Sequence, residues 1–148
     1  MLGMQLGSQL NELLEALLPL VERFHAQGDL APNAAFINAA GEICGLAFVS
    51  DDATGMTVAE ALERMEARLQ ALAATKDIVA SAVFYHAVSL EKELRPAAYA
   101  SEAATLIGML EDADGRSFYF AMPYTSGSSG PVYQRARLIE RPATVFVE

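Results

Sequence analysis

Reactive side chains are scarce in this sequence, and the shortages narrow its function before anything else does. A single cysteine, Cys44, stands among 148 residues. It cannot form an internal disulfide, which fits a reducing compartment. His25 and His86 are the only histidines, and a zinc site needs three or four His, Cys or carboxylate ligands at close quarters. Glu22, three residues before His25, is the one nearby carboxylate at a useful spacing, and it reads more simply as a surface helix contact. No metal or cofactor is expected. Basic residues are also few: 10 Lys and Arg against 19 Asp and Glu, a net charge of −9. Residues 1–75 carry three of these bases against ten acids, and residues 76–148 carry seven against nine. Such a chain repels phosphate backbones, which argues against nucleic acid as a partner.

Long apolar runs are missing too. No stretch reaches the roughly 18 apolar residues of a spanning helix, so no membrane role is expected. The opening Met1-Leu-Gly-Met-Gln-Leu-Gly lacks the basic start of a signal peptide, and the expectation is a cytoplasmic protein. Familiar catalytic signatures are absent: there is no G-x-S-x-G elbow, H-E-x-x-H pair or dinucleotide fingerprint. The Ser/Gly patch Thr125 to Pro131 lacks the lysine and the following helix of a phosphate loop, and reads as a flexible surface loop.

What remains is an ordinary globular composition, 53% apolar and 20% charged, long enough to bury a core as one domain over residues 1–148. The stretch Thr57 to Leu90 organises the rest. Thr57 and Glu60 have capping-box spacing, and Val58, Ala61, Leu62, Met65, Leu69 and Leu72 form one helical stripe. After Lys76 the period changes, and Asp77 to Leu90 reads as a strand apolar on both faces, hence inside a sheet.

Residues 8–27 read as a first helix, within an N-terminal segment 1–28 set before a sheet-and-helix body over 29–148. Ser8 is its cap, and Leu10, Leu13, Leu14, Leu17, Leu18, Val21 and Phe24 form a broad stripe ending at Gly28. Pro19 inside it implies a kink or break near Leu18. The stripe is wider than one small sheet needs, so Leu10, Leu13, Leu14, Leu17 and Val21 are candidates for an interface with a second copy. Ala34 to Asn38 and Glu42 to Ser50 suggest a hairpin, Asp51 to Gly55 a polar loop, and Glu91 to Glu102 a long connection.

Ala103 to Leu110 and Arg116 to Tyr124 read as strands joined by a turn of solvated carboxylates, Glu111, Asp112 and Asp114. Phe118, Phe120, Met122 and Tyr124 share one face, and Pro123 argues for a strand end. Val132 to Ile139 reads as one further strand.

The expected fold is α+β: one antiparallel sheet of five to six strands, an N-terminal helix, and a second helix between a two-strand hairpin and a three- or four-strand meander. This element order, with the turn Asn38-Ala-Ala-Gly41-Glu42, resembles profilin-like folds. These include the roadblock family and, more loosely, PAS sensor domains; bacterial proteins of the same layout are similar but imply no function. The roadblock resemblance implies dimerisation and scaffolding, the PAS resemblance ligand sensing, and neither assigns a residue.

Two functions from different classes follow, with an enzyme of unfamiliar site third. The leading expectation is a non-enzymatic association domain, homodimeric through the α-helical stripe. The alternative is a small-molecule-binding domain whose pocket lies near Tyr85, His86, Tyr124 and Arg135, by the connection 91–102. His86 shares a strand face with Phe84, where desolvation disfavours its charged form; the plain reading is a buried histidine bonded within the core. Arg135 and Arg137, two apart on a strand, could clamp an anion, or simply pair with surface carboxylates. Cys44, in a strand-like run, reads as an inert thiol.

Overall fold

The computed structural model describes residues 2–28, 31–46, 57–88, 96–97 and 103–147. In chain order these form helix α1 (Leu2–Ala26), strands β1 (Asn33–Asn38) and β2 (Ile43–Gly45), and helix α2 (Val58–Ala74). Strands β3 (Ile78–Ala87), β4 (Thr105–Asp112), β5 (Ser117–Gly127), β6 (Gly130–Tyr133) and β7 (Arg137–Glu140) follow. One antiparallel sheet takes them in the order β2-β1-β3-β4-β5-β6, with β7 also paired to β5. The fold is α+β, and β3 lies inside the sheet between β1 and β4.

The two faces of β3 each receive one helix. Ala80, Ala82 and Phe84 point to the α1 side and pack with Leu6, Leu10, Leu13, Leu14, Leu17 and Val21. Val83, Tyr85 and Ala87 point to the α2 side and pack with Leu62, Met65 and Leu69. Burial of each large aliphatic or aromatic side chain stabilises the fold by about 1.5–3 kcal/mol. On the α1 face the Phe84 ring lies across Gly108 of the neighbouring strand, where a Cβ would approach it to 2.7 Å. Phe120 then meets Phe84 edge-on at 6.2 Å between centroids. The Phe118, Phe120, Met122 and Tyr124 face all turns to this core.

Helix α2 starts where its sequence signal placed it. Thr57 is the N-cap, and its hydroxyl accepts the Glu60 N–H at 3.1 Å. Its end is a Schellman turn: Asp77 N–H bonds to the Leu72 carbonyl and Lys76 N–H to that of Ala73, with Lys76 at φ 62. The β1–β2 hairpin is closed by Asn38, whose Oδ1 accepts the N–H groups of Ala40 and Glu42. The expected continuation of β2 to Ser50 and the loop Asp51 to Gly55 fall outside the described residues, as does most of the connection Glu91 to Glu102.

Four expectations need correction. Helix α1 stays helical through Pro19 and breaks instead at Gly7, with φ 77 and ψ 170. Pro19 is exposed, so the carbonyl its ring leaves unbonded, that of the exposed Glu15, can face water. Strand β5 runs through Pro123 to Gly127 because its outer edge changes partner there. Residues 118–121 pair with β7, and residues 124–127 with β6. The Pro123 carbonyl takes the Gln134 N–H at 2.7 Å, so its nitrogen faces the gap where no donor is required. The same switch divides Val132 to Ile139 into two strands. Finally, Thr125 to Pro131 is an ordered hairpin with Gly127 opposite Gly130, rather than a loose loop.

Candidate functional site

At the C-terminal end of β3, four hydrogen-bonding rings from four elements meet on the α1 face. His86 of β3 is 4% exposed, and its Nδ1 lies 2.8 Å from the hydroxyl of Tyr124 on β5. His25, in the last turn of α1, has Nδ1 2.7 Å from the hydroxyl of Tyr133 on β6. The two pairs interlock: the His25 ring sits 4.5 Å from that of His86 and 4.3 Å from that of Tyr124. Tyr124 and Tyr133 meet edge-on at 5.8 Å, an arrangement aromatic quadrupoles favour.

The helical stripe explains how His25 arrives there. Leu14, Leu17, Val21 and His25 follow one another at three- and four-residue steps, so the ring continues the buried side of α1 onto the β5–β6 hairpin. The expectation of a surface contact between Glu22 and His25 is therefore replaced by a long-range one with Tyr133.

Burial keeps the cluster uncharged. Desolvation lowers the His25 pKa from its ordinary value and raises those of Tyr124, helped by Tyr133, and of Glu22. Tyr133 is pushed up to about 12, by burial first and by Glu22 second. At neutral pH the cluster thus holds two phenols and at least one neutral imidazole, and no cation is among the described residues that line the cleft beside it.

Beside the cluster lies a cleft of about 270 Å³ lined by His25, Gly28, Ala103, Tyr124, Ser126 and the glycine-rich end of the hairpin. His25 Nε2 makes no hydrogen bond to another of the described residues, while Nδ1 is held by Tyr133. A ring oriented at one nitrogen and left available at the other is the arrangement used to receive a ligand hydrogen bond or a proton.

A second polar cluster was hidden in the carboxylates read as a solvated turn. Strand β4 extends through Asp112, and Glu111 and Asp112 are each 2% exposed. On the α2 face, Glu111 Oε1 accepts the successive N–H groups of Thr144, Val145 and Phe146 at 3.0, 2.9 and 3.4 Å. Its Oε2 takes Arg141 Nη1 at 2.8 Å and the Thr144 hydroxyl at 3.1 Å. Arg141 also stands 4.9 Å over the Tyr119 ring, and among the described residues its buried Nε has no partner. On the α1 face Asp112 accepts the N–H groups of Asp114 and Arg116 and pairs with the Arg116 guanidinium at 3.1 Å. That guanidinium lies against Gly7, where a Cβ would come within 2.8 Å.

The residues named from sequence as ligand contacts are thereby separated. His86 and Tyr124 come together. Tyr85 projects through the opposite face into a largely apolar cleft of about 310 Å³ under α2, with Leu62, Pro96 and Met109. Arg135 and Arg137 are exposed and join neither cluster, since Arg135 falls in the gap between β6 and β7. Leu10, Leu13, Leu14, Leu17 and Val21, set aside for a second copy, are buried against the chain's own sheet. Cys44 is partly buried, with its sulfur near the Asn38 amide and the Glu42 carbonyl. Among the described residues no group of three or more His, Cys, Asp or Glu is placed to hold a metal, and no helix is long and apolar enough to cross a membrane.

No protein-family model, curated protein or solved structure matches this chain, so the functional reading rests on the geometry of the His25–Tyr124 cleft itself.

Proposed function

We propose that the chain is a non-enzymatic small-molecule-binding domain whose ligand occupies the cleft between the end of α1 and the β5–β6 hairpin. The observation that carries this reading is that His25 and Tyr124 line one cleft, each held from behind by a second ring, Tyr133 and His86. A few converging polar groups beside an otherwise small-residue wall is what a ligand site needs. The cleft's volume, about 270 Å³, suits a small metabolite near the lower end of the usual range. The described polar side chains that line it, His25, Tyr124 and Ser126, are neutral and no cation stands among the described lining residues, so it favours an uncharged, flat molecule with carbonyl, hydroxyl or ring-nitrogen groups over a phosphate or carboxylate.

Calorimetry against a panel of small neutral heteroaromatic compounds tests this. Binding is expected, and Tyr124→Phe is expected to weaken it about tenfold, the loss of one hydrogen bond. Binding unchanged in both Tyr124→Phe and His25→Gln would remove the reading. Generic ester, phosphate and thiol substrates are expected to show no turnover.

Self-association is the second reading, favoured by a different surface from the one the sequence suggested. Val132 on β6 is 56% exposed and Ile43 on β2 is 40% exposed, and both stand on strands at the borders of the sheet. Exposed apolar edges template pairing with another strand. Light scattering at high micromolar concentration separates the readings: a dimer abolished by Val132→Lys supports association, and a monomer rules it out.

A further inference from the structure

We propose that the two interlocked histidine–tyrosine pairs form a proton-operated clasp: neutral, they hold the end of α1 on the β5–β6 hairpin, and acidification releases it and widens the cleft. The geometry supplies the reason. His25 is the only described side chain that bonds the last turn of α1 to the hairpin, through Tyr133 at 2.7 Å. Its ring stands 4.5 Å from a second imidazole that is almost wholly buried. A proton on His86 would place a cation where water is largely excluded, a proton on half-buried His25 places one against that dry ring, and protons on both place like charges side by side.

Among the described residues the charged and titratable groups facing His25 are Glu22 on α1 itself, His86 on β3, Tyr124 on β5 and Tyr133 on β6. The two tyrosines stay neutral through this range. Glu22 and the negative end of α1 pull the other way by favouring an imidazolium. Desolvation outweighs them, since His25 titrates below its ordinary value. Glu22 itself titrates above the usual carboxylate value, so acid removes its attraction as the imidazole charges.

The sign follows from linkage. A histidine whose pKa is lowered in the closed state binds fewer protons there than when released. Closure is thus fully favoured above pH 6.5 and weakens as pH falls below it. Each unit of lowering multiplies the open-to-closed ratio about tenfold once both states have titrated.

The test uses the unliganded chain and so stands apart from any ligand. Spin labels at Gln27 and Ser129, both exposed, in a Cys44→Ser background report the distance across the cleft. One short distance is expected at pH 7.5, with a second, longer population at pH 5. His25→Phe keeps the ring contacts but cannot gain a proton, and is expected to lose the pH response; His25→Gln serves if the phenylalanine variant folds poorly. Imidazole NMR on the unlabelled chain should show His25 titrating below 6.5. A distance unmoved while His25 titrates, or a response that persists in both variants, overturns the clasp. Failure of the calorimetry above would leave it standing, and the reverse is equally true.

Discussion

Two polar clusters lie at opposite ends of β3 and on opposite faces of the sheet, and they are satisfied in opposite ways. Glu111, opposite Ser81 near the start of β3, is a full charge met by donors from its own chain at both oxygens. His86, near the other end, belongs to a set of rings that bond one another in pairs and border a cleft. Burial alone would have ranked Glu111 as the more functional residue. The difference teaches that a buried charge closed on itself is architecture, whereas neutral rings with an open space beside them are a site.

The largest expected effect breaks the closed cluster. Glu111→Ala leaves the Arg141 guanidinium buried without its carboxylate and frees three backbone N–H groups, costing about 3–5 kcal/mol in urea unfolding. Adding Arg141→Met should restore part of that, because the stranded charge is then gone. If Glu111→Ala costs under about 1 kcal/mol, the α2-face cluster is not the anchor described, and the contrast fails.

Tyr124→Phe sharpens the other half. It strands a buried imidazole nitrogen and should cost about 1–3 kcal/mol, together with the loss of ligand affinity. Stability lost with affinity retained would make the ring cluster architecture as well. Gly7→Ala probes a third closed site, the Arg116–Asp112 seat of α1. A Cβ at φ 77 and ψ 170, a region reached essentially only by glycine, costs about 1–3 kcal/mol, with Arg116, 42% exposed in its side chain, able to swing aside. The smallest effect lies outside all three: Lys76→Gly relieves a left-handed residue in the α2 Schellman turn and should stabilise by about 0.5–1 kcal/mol. Thermal unfolding of the two glycine-site variants checks both signs.

Sequence periodicity carried most of the architecture. The stripes of α1 and α2 and the doubly apolar run of β3 are local patterns, and local patterns survive folding when a layer covers each face. The misses share another cause. Glu111 and Asp112 looked like a turn because three acids and a glycine crowd together, while the partners of Glu111 come thirty or more residues later in the chain. His25 looked solvated because Tyr133 is 108 positions away; extending the stripe one step past Val21 would have turned it inward. The break between β6 and β7 has no signal in Gln134-Arg135-Ala136 itself. It is imposed by β5 exchanging neighbours at Pro123. Arg135 and Arg137 were paired on the assumption of one unbroken strand, and that assumption failed with the break.

The hold of residues 141–146 on Glu111 has a consequence for the order of events during synthesis. When β3, β4 and β5 first emerge from the ribosome, the carboxylate is already within the nascent sheet, yet every donor that neutralises it has still to emerge. The α1 side can settle early, whereas the α2 side must stay hydrated, or hold a protonated acid, until residues 141–146 emerge. The chain therefore matures one side at a time, and a chain with only its residues up to 127 emerged is a half-finished molecule with its α2 side unsealed.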